Sequence, residues 1–238
     1  MTMKRVTLLA GHYGSGKTNI AVNMALDEAA GNGWQGGNTA GGRIAIADLD
    51  IVNPYFRTED SREDLQQAGI RLICSMYANS NVDLPSMPED LYAITDDRDL
   101  RVLIDVGGDD RGALALGRIA GALREENNYE MFMVINCYRP LTRDAASTIE
   151  VLREIEEAGR IPFTGLINNS NLGRDTGPED VLASLAYARE TERLSGLPLV
   201  YTTVEERIFA ELEKRNAVLP KEEQLPGLRR LRLQKRPV

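Results

Sequence analysis

The segment Gly11-His12-Tyr13-Gly14-Ser15-Gly16-Lys17-Thr18 decides how the rest of the chain is interpreted. Its spacing matches G-x-x-x-x-G-K-[ST], the P-loop pattern, in which a tight turn points several backbone N–H groups at one phosphate chain. We expect Lys17 to place its charge near the β- and γ-phosphates, and the Thr18 hydroxyl to bind Mg²⁺. The residues expected to bind the nucleotide phosphates are Gly11, Gly14, Ser15, Gly16, Lys17 and Thr18.

The residues around this loop provide the strand and the helix that a P-loop requires. Val6–Ala10 is a short apolar run, typical of a buried parallel strand. Residues 19–30 are rich in alanine, and Ile20 and Met24 have helical spacing. The amino end of that helix would add its partial positive charge to a phosphate site. This order of strand, loop and helix favours a P-loop over a chance glycine-rich turn.

The composition indicates a single soluble domain over residues 1–238. Hydrophobic residues make up 42% of the chain and charged residues 27%, which are ordinary values for a globular protein. The net charge of −8 argues against binding nucleic acid through bulk charge. No apolar run approaches the roughly 18 residues of a membrane span, and nothing resembles a signal peptide, so we expect a cytoplasmic protein.

Cysteine and histidine are too few for several common kinds of site. Cys74 and Cys137 lie far apart and form neither a C-x-x-C pair nor a zinc-binding set. We expect both to be buried and reduced. His12 is the only histidine, which excludes a metal site built from several histidines.

The sequence predicts helices at residues 113–127 and 142–158. A capping box formed by Thr176 and Glu179 predicts the start of a further helix.

Strands and helices alternate along most of the chain, which predicts a three-layer α/β fold with a mainly parallel central sheet and helices on both faces. Ligands of such sheets bind at the carboxyl ends of the strands. The strand expected at residues 43–47 leads into Asp48 and Asp50. One of these acids would orient Mg²⁺-bound water and the other an attacking water, unless the pair caps the next helix.

A second acid follows a buried strand at residues 101–105, which ends in Asp105 and continues as Val106-Gly107-Gly108. An apolar strand that ends in Asp and is followed by glycine fits a Walker B site, in which Asp105 would hold the Mg²⁺ shell. The Gly108 amide would then sense the γ-phosphate as part of a switch loop.

The strand expected at residues 163–167 leads into Asn168-Asn169-Ser170-Asn171. An Asn side chain offers a donor and an acceptor, which match the N6/N7 edge of adenine, although Asn is also a common turn residue. Guanine selection usually needs an acid, as in N-K-x-D, and this segment has neither the Lys nor the Asp. The pattern therefore favours ATP.

Three segments have two interpretations each. The Gly-rich loop at 31–42, which contains Trp34, is a surface loop that either binds a partner or is a tolerated insertion. Residues 137–140 either line the nucleotide site or only connect two elements. The basic tail at 227–238 either contacts an anionic membrane surface or is a solvated tail or edge strand.

The order of these motifs resembles the MinD/ParA-type P-loop ATPases, a class that includes the nitrogenase iron protein. The resemblance covers most of residues 4–205. It implies Mg-ATP binding and a homodimer that often depends on ATP. It also implies that Asp50 orients the hydrolytic water, that Asp48 belongs to the outer Mg²⁺ shell, that Asp105 is the Walker B acid, and that Asn169 contacts the base.

Two features depart from that class. His12 stands where the class usually has a second, signature Lys in the P-loop, and a His is charged only part of the time near neutral pH. ATP-dependent dimerisation therefore stays open. The cysteine pair that holds the iron–sulfur cluster of the iron protein is absent after Asp105, so we expect no cluster.

The first functional hypothesis is an ATPase that acts as a nucleotide-dependent switch on a protein partner, in a regulatory, positioning or metallocentre-loading role. The alternative is an ATP-dependent ligase or synthetase acting on a small carboxylate, similar to cobyrinate diamide or dethiobiotin synthetase. A third hypothesis is an adaptor that binds nucleotide without useful turnover. The sequence does not name the partner or the substrate.

Overall fold

The computed structural model describes residues 4–34, 42–49, 61–74, 94–107 and 110–233. Asp50 and Gly108, for which the sequence predicts catalytic and switch roles, lie outside these ranges. So do most of the Gly-rich loop and the last residues of the basic tail.

The described strands and helices alternate along the chain. The strands are β1 (Val6–Ala10), β2 (Arg43–Asp48), β3 (Arg71–Cys74), β4 (Leu100–Asp105), β5 (Tyr129–Ile135), β6 (Gly165–Asn168), β7 (Leu199–Glu205) and β8 (Leu228–Leu231). The helices are α1 (Lys17–Ala29), α2 (Arg62–Gln67), α3 (Asp110–Gly117), α4 (Ala120–Glu126), α5 (Ala145–Gly159), α6 (Pro178–Ser195) and α7 (Glu206–Val218). Among these helices, none has the length and apolar character needed to cross a membrane.

The strands form one eight-stranded sheet in the order β3-β2-β4-β1-β5-β6-β7-β8, and every neighbouring pair is parallel. The chain builds β2, β3 and β4 on one side of β1 and then crosses to build β5 to β8 on the other. The order therefore reverses at β1, and parallel sheets bind ligands at the carboxyl ends of the strands beside such a point.

Alternating side chains of each strand pack on opposite faces of the sheet. On one face Leu8 of β1 belongs to a buried cluster that includes Leu116 of α3 and Leu152 of α5. On the other face Leu9 belongs to a cluster with Ile20 and other residues of α1. The two clusters make three layers, which confirms the predicted fold class.

The boundaries of two helices differ from the sequence expectation. One helix was expected at residues 113–127, but the chain turns between α3 and α4, where Gly117 lies against α5 and leaves little room for a Cβ atom. Helix α5 was expected to begin at Thr142, but it begins after Asp144, whose carboxylate accepts a hydrogen bond from the Ser147 N–H at 2.9 Å.

The start of α6 also corrects a prediction. A capping box formed by Thr176 and Glu179 was expected, but Gly177 is the N-cap and its N–H donates to Asp180 Oδ2 at 2.8 Å. The Thr176 hydroxyl instead donates to the Gly173 carbonyl oxygen at 2.7 Å. The hydrogen bond of Thr176 to the preceding 3₁₀ turn explains the shift of one residue.

Trp34 is buried, which corrects its assignment to a surface loop. Its side chain is only 2% exposed, and its indole N–H donates to Asp27 Oδ2 at 2.8 Å. The ring packs edge-on against Tyr201, with 5.2 Å between the ring centroids. Arg229 of β8 lies over the same Tyr201 ring and donates to the Trp34 carbonyl oxygen. The first part of the basic tail is therefore an edge strand, and membrane contact stays a prediction.

Candidate functional site

The loop from Gly11 to Gly16 leaves the carboxyl end of β1 and leads directly into α1, at the point where the strand order reverses. Gly11 and Gly16 have φ values of +147° and +93°. A Cβ atom on Gly11 would lie 2.5 Å from the Val134 carbonyl oxygen, and one on Gly16 would lie 2.2 Å from Asn169 Nδ2. The loop can pack this closely only because both positions are glycine.

The amino end of α1 has the features of an anion site. Gly16 caps the helix without a side-chain hydrogen bond, so no side chain of the cap occupies the first amides. Lys17 and Thr18 are the first two helical residues, and both are buried. The Lys17 ammonium is folded back over the loop and donates to the His12 carbonyl oxygen at 3.3 Å. Its charge therefore lies inside the loop that is expected to hold the phosphates.

Ser15 carries a buried polar atom that suits a ligand. The residue is 1% exposed, and its hydroxyl has no hydrogen-bond partner among the described residues. Leaving a buried hydroxyl unsatisfied costs roughly 1–3 kcal/mol. A phosphate oxygen in the loop would remove that cost, so the residues present fit a bound phosphate chain.

Asn169 follows β6 and contacts the P-loop. Its Nδ2 donates to the Ser15 carbonyl oxygen at 2.7 Å, and its Oδ1 accepts from the Thr203 hydroxyl of β7 at 2.8 Å. Asn169 therefore ties the P-loop to two neighbouring strands. Its predicted contact with the base stays a prediction.

The two described acids lie together beside this loop. Asp48 and Asp105 are the last residues of β2 and β4, are paired in register, and are both buried. In the same way Asp105 is paired with Leu9 of β1, just before the P-loop. Two carboxylates at the carboxyl ends of neighbouring parallel strands are oxygen ligands of the kind that Mg²⁺ prefers.

Magnesium fits this donor set better than a metal that needs a closed cage of protein ligands. Among the described residues, no group of three His, Cys, Asp or Glu side chains is placed to hold a metal. Mg²⁺ commonly binds through one or two carboxylates and takes its other ligands from water and phosphate oxygens. Asp48, Asp105 and the Thr18 hydroxyl are the described residues that would contribute to its shell.

The segment after β5 also contacts the P-loop, so it does more than connect two elements; that it lines the nucleotide site stays a prediction. Arg139 Nε donates to the Gly14 carbonyl oxygen at 2.8 Å. No local sequence pattern identified Arg139. The only signal was an Arg in a loop after a strand, and this signal becomes informative only once β5 is known to lie next to β1 in the sheet. Cys137, in the same segment, was expected to be buried but is half-buried, and burial raises the pKa of its thiol.

Comparison with known proteins yields structural likeness only, because no family model and no curated protein matches the chain. The cell division protein FtsY from Thermotoga maritima has a TM-score of 0.53 and 18% identity, over 84% of this chain and 61% of that one. FtsY from Mycoplasma mycoides has a TM-score of 0.48 and 18% identity, over 85% and 61%. The signal recognition particle receptor FtsY from Elizabethkingia anophelis, in complex with GDP, has a TM-score of 0.48 and 14% identity, over 86% and 58%.

The chain thus spans about three fifths of the length of the FtsY chains that it matches. At this level of identity the likeness to Thermotoga maritima FtsY concerns the fold. Together with the loop at residues 11–18 and the parallel sheet, it shows that the chain has the three-layer P-loop fold of nucleotide-binding proteins.

Proposed function

We propose that this protein binds Mg-ATP at residues 11–18, hydrolyses it, and acts as a nucleotide-dependent switch on a protein partner. The observation that carries the proposal is the P-loop itself: a glycine-rich loop with a buried Lys17 and a buried Ser15 hydroxyl without a hydrogen-bond partner in the described part of the chain, with Asp105 at the end of the neighbouring strand β4 and Asp48 at the end of β2. A phosphate chain is the ligand that these groups fit together.

Each residue has a distinct role in this proposal. Backbone N–H groups of the loop and the Lys17 ammonium bind the phosphate oxygens and stabilise negative charge that develops during transfer. Thr18, Asp48 and Asp105 hold Mg²⁺, which when bound supplies charge neutralisation at the phosphates. Asp50 orients the attacking water and the Gly108 amide responds to the γ-phosphate; both roles rest on the sequence.

The choice of ATP over GTP rests on the loop after β6. Residues 168–172 contain no carboxylate that would accept hydrogen bonds from the guanine N1 and N2 atoms. The Asn171 side chain hydrogen-bonds within the loop, to the Asn169 carbonyl oxygen and the Gly173 N–H. A neutral, amide-rich loop suits adenine better than guanine.

A protein partner is proposed from the surface next to the P-loop. Tyr13, Leu141 and Leu172 are 49%, 56% and 45% exposed, and they lie in the loops after β1, β5 and β6, which are neighbours in the sheet. Exposed apolar side chains at a nucleotide site are suited to a contact that follows nucleotide state. The resemblance to MinD/ParA-type ATPases separately implies a homodimer of this chain.

Equilibrium titration tests the binding part of the proposal. Wild-type protein, Lys17→Ala and the matched control Lys214→Ala, which removes an exposed Lys on α7, are titrated with Mg-ATP and Mg-GTP. We expect wild type and Lys214→Ala to prefer ATP, and Lys17→Ala to bind at least about tenfold more weakly, a loss of roughly 1.4 kcal/mol.

Two results would contradict the proposal. Equal binding by wild type and Lys17→Ala would place the nucleotide elsewhere, and a preference for GTP would show that the proposed base selection is wrong.

A further inference from the structure

Two consecutive carbonyl groups of the P-loop are each held by a side chain from outside the loop. The Gly14 carbonyl oxygen accepts from Arg139 Nε at 2.8 Å, and the Ser15 carbonyl oxygen accepts from Asn169 Nδ2 at 2.7 Å. The two side chains come from the segments after β5 and β6.

Holding a carbonyl group also orients the next amide. A trans peptide unit is planar, so its C=O and N–H bonds point in opposite directions. Because Arg139 holds the Gly14 carbonyl group, the Ser15 N–H points away from Arg139 and donates to the His12 carbonyl oxygen within the loop, at 3.2 Å. This hydrogen bond closes the turn of the loop that is expected to bind the phosphates.

The backbone of Arg139 is itself fixed. Its N–H donates to the Asn136 carbonyl oxygen at 3.2 Å, and its own carbonyl oxygen accepts from the Thr142 N–H at 3.1 Å. The preceding residue is anchored as well, because the Tyr138 hydroxyl donates to the Asp180 carbonyl oxygen at 2.9 Å. Arg139 therefore extends toward the P-loop from a rigid turn.

Arg139 and Gly14 also pack closely. Gly14 has a φ of +75°, and a Cβ atom on it would lie 3.3 Å from Arg139 Nε. A glycine at this position lets the side chain approach the carbonyl group directly. The contact thus depends on both residues.

We infer that Arg139 is a positioning residue of the phosphate site. Its Nε–H holds the peptide unit between Gly14 and Ser15, so that the turn closed by the hydrogen bond from the Ser15 N–H to the His12 carbonyl oxygen keeps the shape that receives the phosphate chain of a nucleoside di- or triphosphate. The effect comes from the hydrogen-bond donor at Nε and not from the charge of the guanidinium group. The inference rests on the proposed nucleotide site and adds a residue to it.

Three substitutions separate the donor from the charge. Arg139→Gln keeps an N–H donor at the same position along the side chain and removes the charge. Arg139→Lys keeps the charge and has a carbon at that position, and Arg139→Met has neither. Arg143→Met is the matched control, because Arg143 lies one turn away, is 77% exposed and pairs only with the neighbouring Asp144 among the described residues.

The first readout is the Kd for Mg-ADP. We expect Arg139→Met and Arg139→Lys to raise Kd on the order of tenfold, as loss of one positioned hydrogen bond would do. Arg139→Gln and Arg143→Met should stay within about threefold of wild type. The inference is overturned if Arg139→Lys binds as wild type while Arg139→Gln is as weak as Arg139→Met, or if Arg139→Met binds as wild type.

The second readout is hydrogen exchange of the amides of residues 14–16 in nucleotide-free protein. Arg139→Met should speed this exchange, Arg139→Gln should not, and unchanged exchange in Arg139→Met overturns the inference. This readout needs no nucleotide. If wild type binds no nucleotide, the proposed function fails, and the exchange data still decide whether Arg139 positions the loop.

Discussion

At the scale of single residues, Asn169 has the most consequential contacts in the site. Both atoms of its amide group are used inside the protein, one for the P-loop and one for Thr203. If Asn169 contacted only the base, its removal would leave the P-loop unchanged. Its observed hydrogen bonds instead connect the P-loop to Thr203 of β7.

We therefore expect Asn169→Ala to weaken binding of Mg-ATP and of inorganic tripolyphosphate by a similar factor, on the order of tenfold, because the Ser15 carbonyl group is released in both cases. Competition titrations with the two ligands measure this. Asn32→Ala, which changes an exposed Asn, should have no effect. A loss confined to ATP would instead assign Asn169 to the base.

Arg5, just before β1, and Glu126 form a buried ion pair at the end of β1 opposite the P-loop. The Arg5 guanidinium also donates to the carbonyl oxygens of Asp97 and Leu100, at 3.2 and 3.1 Å. The hydrogen bond from Arg5 holds the pKa of Glu126 below its ordinary value of 4.5. A lowered carboxyl pKa stabilises the fold above about 4.5, and this stability is lost as the pH falls through the lowered pKa.

Arg5→Met should lower the free energy of unfolding by about 1–3 kcal/mol at pH 7, because the carbonyl groups of Asp97 and Leu100 lose a donor. Among the described residues, Glu126 then keeps only the exposed Arg98 as a partner, at 2.9 Å. The difference between wild type and variant should narrow as the pH falls below about 4.5, where Glu126 takes up a proton. Urea unfolding at several pH values measures both effects. Arg43→Met, which breaks an exposed pair with Asp97, should cost at most about 1 kcal/mol. A difference that is the same at every pH would contradict this account of Glu126.

At the scale of elements, the helix that follows the P-loop is joined to the last strand. Asn23 of α1 donates from Nδ2 to the Arg232 carbonyl oxygen at 2.9 Å, and its Oδ1 accepts from the Arg232 N–H at 2.8 Å. Asn23 is buried, so both hydrogen bonds are shielded from water. The end of β8 is thereby fixed to α1.

Asn23→Leu should release this contact. We expect a loss of about 1–3 kcal/mol in the free energy of unfolding, because backbone groups of Arg232 lose their partners. Hydrogen exchange should become faster at residues 228–233, while the central strands stay protected. If exchange at the end of β8 does not change, Asn23 does not fix this strand.

The elements also show where sequence patterns stop being sufficient. Apolar runs that end in Asp predicted β2 and β4, because a buried parallel strand needs little beyond its own residues to be recognised. The first residues of α5 and α6 depend on which side chain accepts a hydrogen bond from a backbone N–H group at the helix start. Trp34 was assigned to a surface loop because its neighbours are glycines, whereas its burial depends on Tyr201 and Arg229, far along the chain.

At the scale of the whole molecule, the position of β1 between β4 and β5 organises the site. This order brings Asp105 to one side of the P-loop and Arg139 to the other. The spacing of the P-loop and the two acids could be predicted from sequence, since each motif is local. The contacts of Arg139 and Asn169 could not, because they depend on which strands become neighbours.

The most direct test of the central claim is phosphate release from Mg-ATP at several protein concentrations, for wild type, Lys17→Ala and Asp50→Ala. We predict release by wild type with a specific rate that rises with protein concentration, and a loss on the order of a hundredfold in both variants. A rate that is at background in wild type, or equal in all three proteins, would contradict an ATPase at this P-loop.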